Sequence, residues 1–107
     1  MRQLSDIASV IRSKNAGPYA LTFDILFKTQ ADFERAVGRA LINPDLIARL
    51  YGLSPQDVLS IIAFPPAHAI KATIRRPLPS GAVGDTDIYG AQQHAPLLSL
   101  PLDPDWP

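Results

Sequence analysis

Two stretches of the chain alternate apolar and polar side chains in the period of a half-buried strand. Between residues 19 and 27, Leu21, Phe23, Ile25 and Phe27 share one face and Thr22 and Asp24 the other. Between residues 69 and 75, Ile70, Ala72 and Ile74 alternate with Lys71, Thr73 and Arg75. Residues 58–64 are rich in β-formers and predict a buried strand, stopped by Pro65-Pro66. Near the start, Ile7-Ala8-Ser9-Val10-Ile11-Arg12 reads as a short strand. The turn-forming run Ser13-Lys14-Asn15-Ala16-Gly17-Pro18 follows it. The first two strands could therefore pair as a hairpin.

The period changes between these strands. Thr29 can cap a helix, and Phe33, Ala36, Val37, Ala40 and Leu41 then form one apolar stripe. Asn43-Pro44 restarts a second short helix with Leu46, Ile47 and Leu50 facing inward. Gly52 suits the left-handed residue that ends it, and Ser54-Pro55-Gln56-Asp57 reads as one more capped turn. Strands, then helices, then strands predict an α+β fold, an antiparallel sheet with helices on one face, in a ferredoxin-like arrangement or a variant of it. One face of such a sheet stays open unless something covers it. Residues 97–102 could add a short edge segment, since proline is tolerated there. Trp106 either docks or belongs to a frayed end. The expected organisation is a single domain over residues 1–102 with a tail over 103–107.

Composition narrows the class. At 107 residues and 47% apolar, the chain fits one globular domain with one core. It has no cysteine, which removes disulfides, thiolate metal sites and a cysteine nucleophile. No apolar run approaches the roughly 20 residues of a membrane span, and no signal-peptide core is visible, so the expectation is a cytoplasmic protein without a membrane role. Net charge is zero but unevenly spread: every lysine and arginine lies at or before Arg76, and residues 77–107 carry four aspartates and no base. No basic cluster with interleaved aromatics is present, which argues against nucleic acid. The acidic end is expected to fold back on its own body or on a neighbouring subunit.

Three places carry candidate chemistry. Arg12, Ser13, Lys14 and Asn15 sit in or beside a glycine-containing turn whose donors could hold a carboxylate or phosphate; the plainer reading is a solvated hairpin turn. Asp24 on one strand and Lys71, Thr73 and Arg75 on another could share the polar sheet face, as a charged floor for an anion or a partner's acidic patch; the plainer reading is a solvated face with an Asp24–Lys71 cross-strand pair. The third is the acidic, glycine-containing loop over residues 81–96. Loops longer than about 12–15 residues without periodicity are uncommon in compact domains and often functional. Asp85, Asp87 and His94 are its catalytic candidates, and Gln92 and Gln93 could recognise polar groups of a ligand. Asp85 and Asp87 lack the further ligands of an EF-hand, so no metal site is assigned and no cofactor is required. No serine has the setting of a nucleophile elbow.

Several of these stretches resemble the bacterial domain-of-unknown-function family 4387. They are residues 7–19, from Ile7 through Arg12-Ser13-Lys14-Asn15-Ala16-Gly17-Pro18-Tyr19; Leu21-Thr22-Phe23-Asp24-Ile25; Leu46-Ile47-Ala48-Arg49-Leu50-Tyr51-Gly52; Ala69-Ile70-Lys71-Ala72-Thr73-Ile74; and residues 84–97, which include Gly84-Asp85-Thr86-Asp87-Ile88-Tyr89-Gly90 and Gln92-Gln93-His94. The resemblance spans residues 4–102. It implies a small stand-alone protein encoded beside a large protein of the acyclic terpene utilisation (AtuA) type. Those large proteins resemble hydratases or lyases of organic acids or acyl thioesters, and some carry a C-terminal ferredoxin-fold segment of similar size. The family brings no established catalytic residues.

Together these readings predict the small subunit of a two-component hydratase- or lyase-type enzyme, docked on an AtuA-like large subunit and sharing a site for a small anionic substrate. Arg12, Lys14 and Asn15 with residues 85–94 would line or gate that site. The alternative is a non-catalytic assembly or binding module, a homo-oligomer formed through its sheet and long loop. An independent isomerase or lyase is a third reading.

Overall fold

The structure, a computed structural model, describes residues 2–17, 19–75 and 95–107. Leu4–Ile7 forms a one-turn helix, α1, that runs directly into strand β1, Ala8–Asn15. Strand β2, Ala20–Phe27, returns antiparallel to it. Two helices follow, α2 at Gln30–Gly38 and α3 at Pro44–Tyr51. A second hairpin comes next, β3 at Val58–Phe64 and β4 at Ala69–Arg75, and the short helix α4 spans Ala95–Leu98. The sheet order is β1-β2-β4-β3, every neighbouring pair antiparallel.

The α+β class and the antiparallel sheet are as the alternation predicts. The order differs from a ferredoxin-like sheet: two sequential hairpins are joined through β2 and β4, and both longer helices lie between them in sequence. Leu21, Phe23 and Ile25 on β2 sit opposite Ile74, Ala72 and Ile70 on β4, all buried, under the helices. Full burial of each large side chain contributes about 1.5–3 kcal/mol. Phe23 also meets the Tyr51 ring of α3 at 4.8 Å between centroids, and Phe27 meets Phe33 of α2 at 6.2 Å.

Local signals set the helix limits. The Thr29 hydroxyl accepts from the Asp32 N–H, and the Asn43 side chain accepts from the Leu46 N–H. Gly52 ends α3 at φ +67°, in the left-handed region that glycine enters without penalty. α2 stops before its apolar stripe does. Leu41 N–H donates to the Ala36 carbonyl and Ala40 N–H to the Val37 carbonyl, with Ala40 at φ +50°. This is a Schellman turn built on alanine. Phe33 and Ala36 are therefore buried as expected, while Val37 is left exposed.

β1 is longer than its sequence suggests. It continues through Asn15, with a bulge at Ser9, and the hairpin closes with Ala16 N–H donating to the Ala20 carbonyl. β3 also differs from expectation. It lies at one margin of the sheet, and Leu59, Ile62 and Phe64 are 50%, 54% and 55% exposed.

The C-terminal residues pack back on the body, in line with the opposite charges of the two parts. Pro101 bridges Gln3 in antiparallel fashion, with Leu4 N–H donating to the Leu100 carbonyl and Leu102 N–H to the Arg2 carbonyl. The expected edge segment is thus a short pairing with the N-terminal residues, not a margin of the main sheet. Leu97, Leu100 and Leu102 are buried. Arg39 pairs with Asp103 and Asp105, and Arg2 donates to the Pro107 carbonyl. Trp106 docks. Its ring is buried beneath Arg35 and Arg39, and its indole N–H donates to Asp32 at 3.0 Å.

The chain has one tryptophan, so its fluorescence reports this docking directly. Trp106→Ala should cost about 3 kcal/mol in urea unfolding, whereas Trp106→Phe should retain part of that. A second expectation concerns Tyr51, whose phenol is pushed well above its usual range by burial. Above about pH 10 the unfolded chain ionises this group and the folded chain does not, so the folded state holds the extra proton and stability falls as pH rises. Urea midpoints measured from pH 8 to 11 should show this fall in the native chain, and a shallower one in Tyr51→Phe.

Candidate functional site

The hairpin register decides which polar residues meet. Because β1 runs through Asn15, the group Arg12, Ser13, Lys14 and Asn15 is strand, not the turn loop expected. Alternation then divides it. Ser13 and Asn15 lie opposite Phe23 and Leu21 on the helix-covered side, where Ser13 is buried and both are engaged within the protein. Arg12 and Lys14 lie opposite Asp24 and Thr22 on the open side. The first two candidate groups of the sequence therefore merge in part: Arg12 and Lys14 join Asp24, Lys71 and Thr73 on one surface.

That surface is ordered in rows across the strands. In one row Arg12, Asp24, Lys71 and Ile62 are successive cross-strand neighbours. Asp24 and Lys71 are register partners as expected, but the ion pair goes to the other side: Arg12 Nε donates to Asp24 Oδ2 at 3.2 Å. Asp24 is only 6% exposed although no described element covers its face of the sheet, so its carboxylate depends on this partner. The next row is Lys14, Thr22, Thr73 and Ser60, with the two threonine hydroxyls 3.3 Å apart. Lys14 and Lys71 have no carboxylate within ion-pair distance among the described residues. Arg75, at the end of β4, reaches Asp57 at 3.4 Å, which partly neutralises it.

The row on the other side of Arg12 is apolar: Val10, Leu26, Ala69 and Phe64. Leu26, Ala69, Ile62, Phe64 and Ala67 wall a shallow hollow of about 410 Å³, and Arg12, Lys14, Asp24 and Lys71 complete it. Sequence reasoning missed this apolar half. The run over residues 58–64 carries no charge, so it resembles a strand buried on both sides. Its proximity to Pro65-Pro66 was the available signal for a sheet margin, since prolines favour edges.

The remaining candidates, Asp85, Asp87, Gln92, Gln93 and His94, lie outside the described residues. Among the described residues no three His, Asp or Glu side chains cluster as a metal site would require. What the described surface offers is cations, hydroxyls and an apolar wall, with its one carboxylate held by an arginine. Those groups suit binding and orientation of an anion rather than proton transfer.

Fold and surface together define a small α+β protein built on a four-stranded antiparallel sheet, helices on one face and a cationic, part-apolar surface on the other. The chain belongs to the family described as Domain of unknown function (DUF4387), which it matches over residues 4–101. No curated protein and no solved structure matches it.

The Arg12–Asp24 pair yields a stability asymmetry. Arg12→Gln leaves a buried carboxylate with weaker support and should cost about 1–2 kcal/mol in denaturant unfolding. Lys14→Gln, two residues along the same strand, should change stability by no more than about 0.5 kcal/mol.

Proposed function

We propose that this chain is the small subunit of a two-component enzyme, of hydratase or lyase type, in which an AtuA-like large subunit supplies the catalytic machinery for an organic acid or acyl thioester. The observation that carries the proposal is the continuity of two features on one side of the sheet: the cations Arg12, Lys14 and Lys71 of two adjoining rows, and the half-exposed Ile62 and Phe64 of the uncharged strand β3. An uncharged strand at a sheet margin is ordinarily covered, because its unpaired N–H and C=O groups and apolar side chains invite association. In this reading the large subunit pairs along the outer edge of β3, and the hollow beside that strand, with its cations, faces an anionic substrate held between the two proteins. Residues 85–94 complete the proposed site.

The same uncharged margin favours a second reading, in which β3 pairs with its counterpart in another copy and the protein is an assembly module. Two uncharged strands meet without repulsion. Light scattering on the pure protein tests this reading, and a monomer at high concentration counts against it.

Co-expression with an AtuA-type large protein should give a stable complex, with turnover only in the mixture. Ile62→Glu should reduce copurification at least tenfold while leaving the circular dichroism of the small protein unchanged, since that side chain is half exposed. Full activity of the large protein alone would sink the proposal.

A further inference from the structure

The hollow on the open sheet face combines two chemistries within one small volume. Its floor is the apolar pair Leu26 and Ala69 on the two central strands, and its wall is Ile62, Phe64 and Ala67. Arg12, Lys14 and Lys71 stand at its other end. Asp24, the one carboxylate lining the hollow among the described residues, is engaged by Arg12 through Nε. That contact anchors the guanidinium from behind, and the terminal fork, the part suited to a carboxylate, makes no hydrogen bond among the described residues.

We propose that this hollow binds an amphiphilic carboxylate, with its anionic head at Arg12, Lys14 and Lys71 and its hydrocarbon chain against Leu26, Ile62 and Phe64. This deepens the reading of the same face as the substrate-sharing surface, on which it rests, by naming the substrate class: an acid whose body is hydrocarbon, not a small polar acid. Charge complementarity selects the head group, because among the described residues three cations stand against one carboxylate that Arg12 already engages. The apolar walls select the tail. A phosphate or a short polycarboxylate would satisfy the cations and leave Ile62 and Phe64 in water. A neutral hydrocarbon would do the reverse. The volume of about 410 Å³ lies in the range of small-molecule sites, about 300–1,000 Å³, and accommodates a medium-length chain rather than a folded partner surface. Cross-strand register places head and tail sites side by side, since the Arg12–Asp24–Lys71–Ile62 row directly adjoins the Val10–Leu26–Ala69–Phe64 row.

The test uses the pure full-length protein and a homologous series of butanoate, hexanoate and octanoate, with octan-1-ol as the neutral comparison, followed by calorimetry or by amide chemical shifts. Affinity should rise about two- to four-fold per added methylene, and octan-1-ol should bind at least tenfold more weakly than octanoate. Phe64→Ser should flatten the chain-length dependence. Lys71→Gln should weaken all three acids by a common factor and leave that dependence intact. Equal affinity across the series, equal binding of octanol and octanoate, or an unchanged slope in Phe64→Ser would each overturn the inference. So would the absence of saturable binding, the outcome expected if the face is reserved for an acidic segment of a partner protein. Copurification with the large protein is scored separately. A complex without the chain-length dependence removes only this inference, and the dependence without a complex removes only the subunit reading.

Discussion

The pairing of β2 with β4 is the constraint on which the rest of this structure depends. It joins the two hairpins into one sheet and places Leu21, Phe23 and Ile25 against Ile74, Ala72 and Ile70. Each strand alone is a half-apolar ribbon with nothing to bury against. Paired, the two present one continuous apolar surface to α2 and α3, and Phe23 and Phe27 reach Tyr51 and Phe33 across that boundary. A slip of one residue would send every one of these side chains to the uncovered face. The register is therefore held by the core itself.

The same register builds the other side. With the apolar set on β2 and β4 facing the helices, Thr22, Asp24, Lys71 and Thr73 must face away, and β1 adds Arg12 and Lys14 through its own pairing. Asp24 illustrates the consequence. It sits in the second strand of the sheet, flanked on both sides, and is buried although no described element covers that face. A carboxylate so placed needs a charged or hydrogen-bonding partner, and Arg12 provides one from the adjacent strand. The charged surface and the core are two outcomes of one alternation.

Much of the fold is legible in local sequence. Thr29 and Asn43 start their helices, Gly52 ends one, and the alternation over residues 69–75 predicts β4 with its faces correctly assigned. These signals are short-range, so a single sequence carries them. The misreadings have a common origin. Ser13, Lys14 and Asn15 have turn-like composition, yet pairing with Phe23, Thr22 and Leu21 keeps them extended; tertiary pairing outweighs a weak local preference. Residues 58–64 look central because they are uncharged, yet β3 lies at a margin with half its side chains exposed. The turn that ends α2 puts its left-handed residue at Ala40, two positions past Gly38, so no glycine marks that position. Of the candidate site, the residue types were readable and the division among faces was not: Arg12 and Lys14 part from Ser13 and Asn15 only once β1 is known to continue.

By itself, though it did not announce α1 or α4, the sequence determined the α+β class, the positions of the four strands and of α2 and α3 to within a few residues, the buried set on β2 and β4, and the concentration of basic residues up to Arg76. Each of these follows from side-chain chemistry repeating at the 2.0 or 3.6 residue period of a local structure. Only the tertiary structure decided the β1-β2-β4-β3 order, the partner of Asp24, the docking of Trp106 between Asp32, Arg35 and Arg39, and the meeting of a cationic row with an apolar one. Those depend on contacts between residues far apart in the chain. Such contacts are chosen by the packing of the whole core, which no local pattern specifies.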